Sequence, residues 1–129
     1  MSDAANEWLF FAKQDLQVAH ILLHEEIYTQ VCFHSQQCVK KSLKAVIAHQ
    51  GHAPPRIHAI TDLLKLIPAS LAATLPAKII QLDLLYMPTR YPDTLPGTFP
   101  DGLPNQQQAQ ETLEWAQEVL EKVEQFTQP

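Results

Sequence analysis

Ala109, Leu113, Ala116, Leu120 and Val123 recur at intervals of four and three residues, which draws one apolar seam along a helix over residues 105–126. Trp115, Val119 and Phe126 add a strip beside the seam, and Glu111, Glu114, Glu118, Glu121 and Glu124 make the other face acidic. The same period governs the first half of the chain. Over residues 4–25, Trp8, Phe11, Ala12, Leu16, Val18, Ala19, Leu22 and Leu23 form a wide stripe behind a candidate N-cap at Ser2 or Asp3. A second helix is expected over 28–50, ending at Gly51, because glycine accepts the left-handed conformation that closes a helix. Shorter pieces follow. Thr61 reads as the cap of a helix over 62–67, stopped by Pro68. Thr74 reads as the cap of a helix over 75–87, with Pro76 in its first turn. Ile79, Ile80, Leu82, Leu84, Leu85 and Tyr86 make that helix apolar nearly all round, so it is expected to be deeply buried. No segment alternates at period two. The expected fold is all-α, an up-and-down bundle of four main helices plus one short helix, in one domain over residues 1–129.

Residues 88–104 break the pattern. Proline stands at 88, 92, 96, 100 and 104, and each proline deletes a helical hydrogen bond and clashes with the preceding turn. This Pro-rich loop before the last helix is long for a compact domain, and loops of that length are commonly functional or disordered. Tyr91, Leu95, Phe99 and Leu103 each precede a proline and could pin the loop to the surface. No apolar run approaches the length of a membrane span, and the N-terminus lacks the basic start of a secretory signal, so a cytoplasmic location is expected. Cys32 and Cys38 would lie about 240° apart around a helix and cannot bridge, so they are expected as buried thiols.

The chain is acidic, with formal net charge −5, yet Lys40, Lys41 and Lys44 fall together on the second helix. On a helical wheel His34, Gln37, Lys41 and Lys44 lie within about 80° on one edge. That set of donors suits a phosphate and base edges, although side chains alone make a weaker signal than a glycine-rich phosphate loop. Lys40 reads as solvent decoration. The opposite arc holds Val31, Cys38, Val39, Leu43, Ala45, Val46 and Ile47, with Ser35 and Ser42 admitting a close neighbour. On the first helix Asp15 falls in the middle of the apolar stripe, so either the helix rotates to put it at the edge or it needs a cation or several donors, failing which it is neutral. His20 and His24 have a metal-compatible spacing but share a polar face with Lys13 and Gln17, and no metal site is expected there.

The order of "AKQDL" at 12–16, Ala19, Tyr28, "FHSQQCVKKSLKAVIAHQG", His58 before "LLKL" and "RYP" at 90–92 resembles the HEPN domain, the higher-eukaryote and prokaryote nucleotide-binding family. Within it the core pattern stands as Gln36, Gln37, Lys41, Leu43, Lys44 and Ala45. The resemblance covers nearly the whole chain. It implies a helical bundle, usually a homodimer, often encoded beside a minimal nucleotidyltransferase in a pair that resembles a toxin and its antitoxin. By the same resemblance a nucleotide such as ATP is a possible ligand, with Lys41, Lys44, His58, Arg90 and Tyr91 near its site, to which the wheel adds His34 and Gln37. Asp15 would orient a cation, Arg90 first among them.

Ribonuclease members of the superfamily carry an Arg followed four to six residues later by a His. Here the last His is His58, and none follows Arg90. The expected function is therefore a non-catalytic nucleotide-binding or nucleotidyltransferase-partner subunit, with RNA a less favoured ligand and no membrane role. The alternatives are a ribonuclease toxin with relocated catalytic residues, using His34 or His58, and a structural dimeric module. In the last case the lysines would pair with the acidic face of the last helix, within one chain or across a dimer.

Overall fold

The computed structural model describes residues 3–84 and 103–128. Three long helices dominate: α1 over Asp3–His24, α2 over Tyr28–His49 and α5 over Gln106–Thr127. Between α2 and α5 lie two short helices, α3 (Ile60–Leu64) and α4 (Ala69–Ala72), and a 3-10 helix over Ala77–Gln81. No strand occurs among the described residues, so the fold is an all-α bundle.

The middle helix of the bundle is α2, which packs along both α1 and α5 while those two also touch. Small residues spaced seven apart explain the close approach: Ala5, Ala12 and Ala19 on α1, Ser35 with Ser42 and Cys38 with Ala45 on α2, Ala109 and Ala116 on α5. All are buried, and Val39, Leu43, Val46, Val119, Leu120 and Val123 fill the space between them. The α5 seam is thereby used up inside its own chain. Ser42 satisfies its hydroxyl on the Cys38 carbonyl at 2.7 Å, whereas the buried Ser35 hydroxyl has no hydrogen-bond partner. Burial pushes the two thiols up, Cys32 to about 11 and Cys38 to about 12, so neither is a ready nucleophile.

Helix ends follow from local chemistry. Asn105 caps α5 in a reciprocal box: its side chain accepts from Gln108 N at 2.8 Å, and the Gln108 side chain accepts from Asn105 N at 2.9 Å. At the end of α2, His52 N donates to Ile47 O and Gly51 N to Ala48 O, a Schellman closure with Gly51 at φ 89°. The end of α1 repeats it, with Ile27 N donating to Leu22 O and Glu26 N to Leu23 O. Here the left-handed residue is Glu26, at φ 63°.

The middle of the chain departs from expectation in three places. Thr61 lies inside α3, not at its cap. The cap is Ala59, and the Asp83 carboxylate takes the orphan amides, accepting from Ile60 N at 2.8 Å and Thr61 N at 3.3 Å. Thr74 caps nothing; its hydroxyl donates to Leu71 O, behind it in the chain. The segment expected as one helix over 75–87 begins as a 3-10 helix after Pro76, and residues 82–84 continue helically. A 3-10 helix has three residues per turn, so Ile79 and the capping Leu82 share the buried side while Ile80 stays exposed; Leu84, in the helical continuation, is exposed as well. Leu85, Tyr86, Tyr91, Leu95 and Phe99 lie outside the described residues.

Candidate functional site

Asp15 is the carboxylate that the α1 stripe sends into the bundle, and it is 8% exposed. It meets two side chains of α2: Lys41 Nζ at 2.6 Å from Oδ2 and His34 Nδ1 at 2.9 Å from Oδ1. Burial pushes this carboxyl up, but the hydrogen bonds from His34 and Lys41 and their charge outweigh it and hold the pKa below 3.8. Two aromatic rings of α1 line the same edge. Lys41 Nζ lies 5.9 Å from the Phe11 ring centre, and Lys44 Nζ lies 5.3 Å from that of Trp8.

Beyond Lys44 the chemistry changes. The loop after α2 folds back so that His58 Nδ1 lies 3.1 Å from Lys40 Nζ. An ammonium can only donate, so Nδ1 is the acceptor and a neutral ring carries its hydrogen on Nε2. Lys40 is 6% exposed and Lys44 7%. The Lys40 charge, then burial, then the Lys44 charge hold the His58 pKa below 6.5. Burial, then the Lys41 charge, lower that of Lys44. Lys44 has no carboxylate within ion-pair distance among the described residues. Gln37 donates its amide to Gln36 Oε1 at 2.9 Å, and Gln36 itself is 1% exposed.

The single edge expected on α2 is therefore two strips. His34 and Lys41 face α1, while Gln36 and Lys40 face the loop before α3, with Gln37 bonded to Gln36 and Lys44 on the boundary. Lys40 is corrected from solvent decoration to a buried member of the cluster. The wheel did carry a signal for it: Gln36, Lys40 and Lys44 are four apart. Asp83, which braces the loop holding His58, had no such signal. The partners of Asp15 are Lys41 and His34; Arg90, the cation expected there, lies outside the described residues, as does Tyr91. Among the described residues, Lys41 and Lys44 form no ion pair with the acidic face of α5. Glu124 of that helix instead takes Lys13 of α1 at 3.1 Å, and Glu118 takes Lys122 at 3.4 Å. His20 and His24 are exposed, and no group of three or more metal-ligating side chains occurs among the described residues. No helix among them is long and apolar enough to cross a membrane.

Comparison with known proteins places this geometry in company. The model of the HEPN domain matches residues 5–126. A protein of Methanocaldococcus jannaschii named "Putative toxin MJ1304" is 30% identical over 126 residues, covering 89% of this chain and 82% of that one. The crystal structure of TT1696 from Thermus thermophilus superposes with a TM-score of 0.78 at 30% identity, over 96% of this chain and 98% of the other. The crystal structure of ST0689, an archaeal HEPN homologue, does so with a TM-score of 0.75 at 29% identity, over 98% and 100%.

Proposed function

The chain belongs to the HEPN domain family, and we propose that it is the nucleotide-binding subunit of a toxin–antitoxin-like pair, with a minimal nucleotidyltransferase as its protein partner. The observation that carries this reading is the state of Lys44. It is a nearly buried ammonium beside an aromatic ring, crowded by Lys41 and lacking a carboxylate among the described residues. Together with Lys40 it also disfavours the charged form of His58. Like charges gathered in a partly desolvated spot, in a chain that is acidic as a whole, are a standing demand for an anion. A nucleotide's phosphates meet that demand. The Arg-x4-6-His pattern is absent from the sequence, which favours binding over cleavage. The relative named as a toxin supports the two-gene setting.

Calorimetric titration with ATP tests it. Lys44→Ala weakens binding at least about tenfold, the worth of one charge-assisted contact. In wild type the His58 pKa, followed by NMR, rises on binding, because the phosphates offset Lys40 and Lys44. No heat at millimolar nucleotide and a stationary His58 sink the nucleotide half.

A ribonuclease reading draws on one observation. Asp15 orients the His34 imidazole at 2.9 Å beside the Lys41 ammonium, a carboxylate-held acid/base next to a charge stabiliser. Cleavage of total RNA or tRNA by the purified protein, lost in His34→Ala, would establish it over the binding reading.

A further inference from the structure

A cavity of ≈ 140 Å³ opens beside the lysine cluster, lined by Gln36, His58, Ala59 and Asp83. Two of its polar groups have unused capacity. Gln36 is 1% exposed; its Oε1 accepts from Gln37, but its own amide nitrogen donates to nothing among the described residues. That NH2 keeps donor capacity at the end of a nearly buried side chain that lines the cavity. Asp83 uses one lone pair of each oxygen on the amides of Ile60 and Thr61, and a carboxylate has about four such sites. The cavity thus asks an occupant for an acceptor at Gln36 and a donor at Asp83. Its size sets the third condition: an apolar cavity of about 150 Å³ holds one benzene ring.

We propose that this cavity is a base subsite selective for a pyrimidine, which enters edge-on with an N–H donor to Asp83 and a neighbouring acceptor to Gln36 while its phosphates lie on the lysines outside. Cytosine offers N4–H beside N3, and uracil offers N3–H between two carbonyls, so either ring meets the demand. A purine has a second fused ring, which a cavity of ≈ 140 Å³ leaves outside its mouth. The subsite rests on the reading of the lysine cluster as a phosphate site, and adds the base specificity that the lysines cannot supply. Ala59 forms part of the wall because it caps α3, and Asp83 holds that cap in place. The wall is therefore built by the same contacts that anchor the loop carrying His58.

The test is calorimetry of the full chain with CTP, UTP, ATP and GTP. At least one pyrimidine triphosphate binds about tenfold or more tighter than both purines, a factor within reach of one or two buried hydrogen bonds. Gln36→Met keeps the side-chain shape and removes the donor; it brings the ratio towards one while purine triphosphates bind as before. Ala59→Leu, on the exposed side of the wall, fills the cavity and has the same effect, which covers the case that Gln36→Met does not fold. Equal binding of all four triphosphates that Lys44→Ala still abolishes overturns the subsite and leaves the phosphate reading standing. A pyrimidine preference that survives both variants also overturns it. Binding of none of the four overturns the subsite and the phosphate reading together.

Discussion

At the scale of single residues, Asp15 shows how one position can be read from a wheel and another cannot. A carboxylate in mid-stripe has to be compensated wherever the helix docks, so the sequence demands a cation without knowing which one. Lys41 and His34 meet that demand. The ion pair has a measurable consequence. The folded-state pKa of Asp15 is depressed, so the pair contributes stability above the ordinary carboxyl value of 3.8, and that contribution is lost as pH falls through the folded pKa. Asp15→Asn is expected to cost about 2 kcal/mol at neutral pH, since it leaves Lys41 with half its partner in a site largely closed to water. Urea denaturation between pH 3 and 7 checks this: the gap between wild type and variant is constant above pH 5 and narrows below pH 4. A gap independent of pH would mean that the carboxylate charge is not what holds the two helices there. Lys40 is the opposite case. A wheel gives direction around an axis and is silent about what covers it, and the cover is a loop that returns from beyond Pro54 and Pro55. That return depends on Asp83 reaching the start of α3 from more than twenty residues away, a contact with no periodicity to betray it.

At the scale of elements, legibility follows period. The helices α1, α2 and α5 lie within a residue or two of the bounds that their apolar spacing predicts, because each presents several turns of one face to the core. The segment over 75–87 failed that rule for a physical reason. A run apolar on all sides fits a buried α-helix, but after Pro76 it fits equally a tighter 3-10 turn that buries Ile79 and leaves Ile80 outside. The ends of α1 and α2 give a matched pair of experiments. Both close by the same two hydrogen bonds, yet one uses Gly51 and the other Glu26 in left-handed backbone. A Cβ at Gly51 would meet nothing within 4 Å, so Gly51→Ala isolates the backbone cost, about 1 kcal/mol of destabilisation. Glu26→Gly removes that same strain and raises stability by up to about 1 kcal/mol. Chemical denaturation midpoints of the two variants should move in opposite directions; a shift of both in the same direction would show that the φ angle is not the dominant factor at these ends.

At the scale of the whole molecule, the question is which face a second copy would use. The seam of α5 invited that role in the sequence, but its residues are buried against α2. Among the described residues, α1 carries one group of exposed apolar side chains on a single long helix. Phe10, Phe11 and Ile21 are each about half exposed, and the two phenylalanine rings meet edge to face at 5.4 Å. Phe10 and Ile21, eleven residues apart, fall about 20° from each other around the helix, with Gln14 and Gln17 between them on the same face. If the homodimer implied by the family forms through this face, it rests on apolar burial, which salt strengthens or leaves alone. If it forms instead between the lysines of α2 and the glutamates of α5, exposed ion pairs carry it, and they weaken as the screening length drops from about 10 Å at 0.1 M salt to about 3 Å at 1 M. Light scattering across that salt range separates the two. The α1 face predicts a dimer that persists at 1 M salt in wild type and becomes a monomer of unchanged helical content in the double variant Phe10→Glu, Ile21→Glu. Dissociation of wild type by salt alone would move the interface to the charged faces, and with it would place Lys41 and Lys44 against protein, where a nucleotide could not reach them.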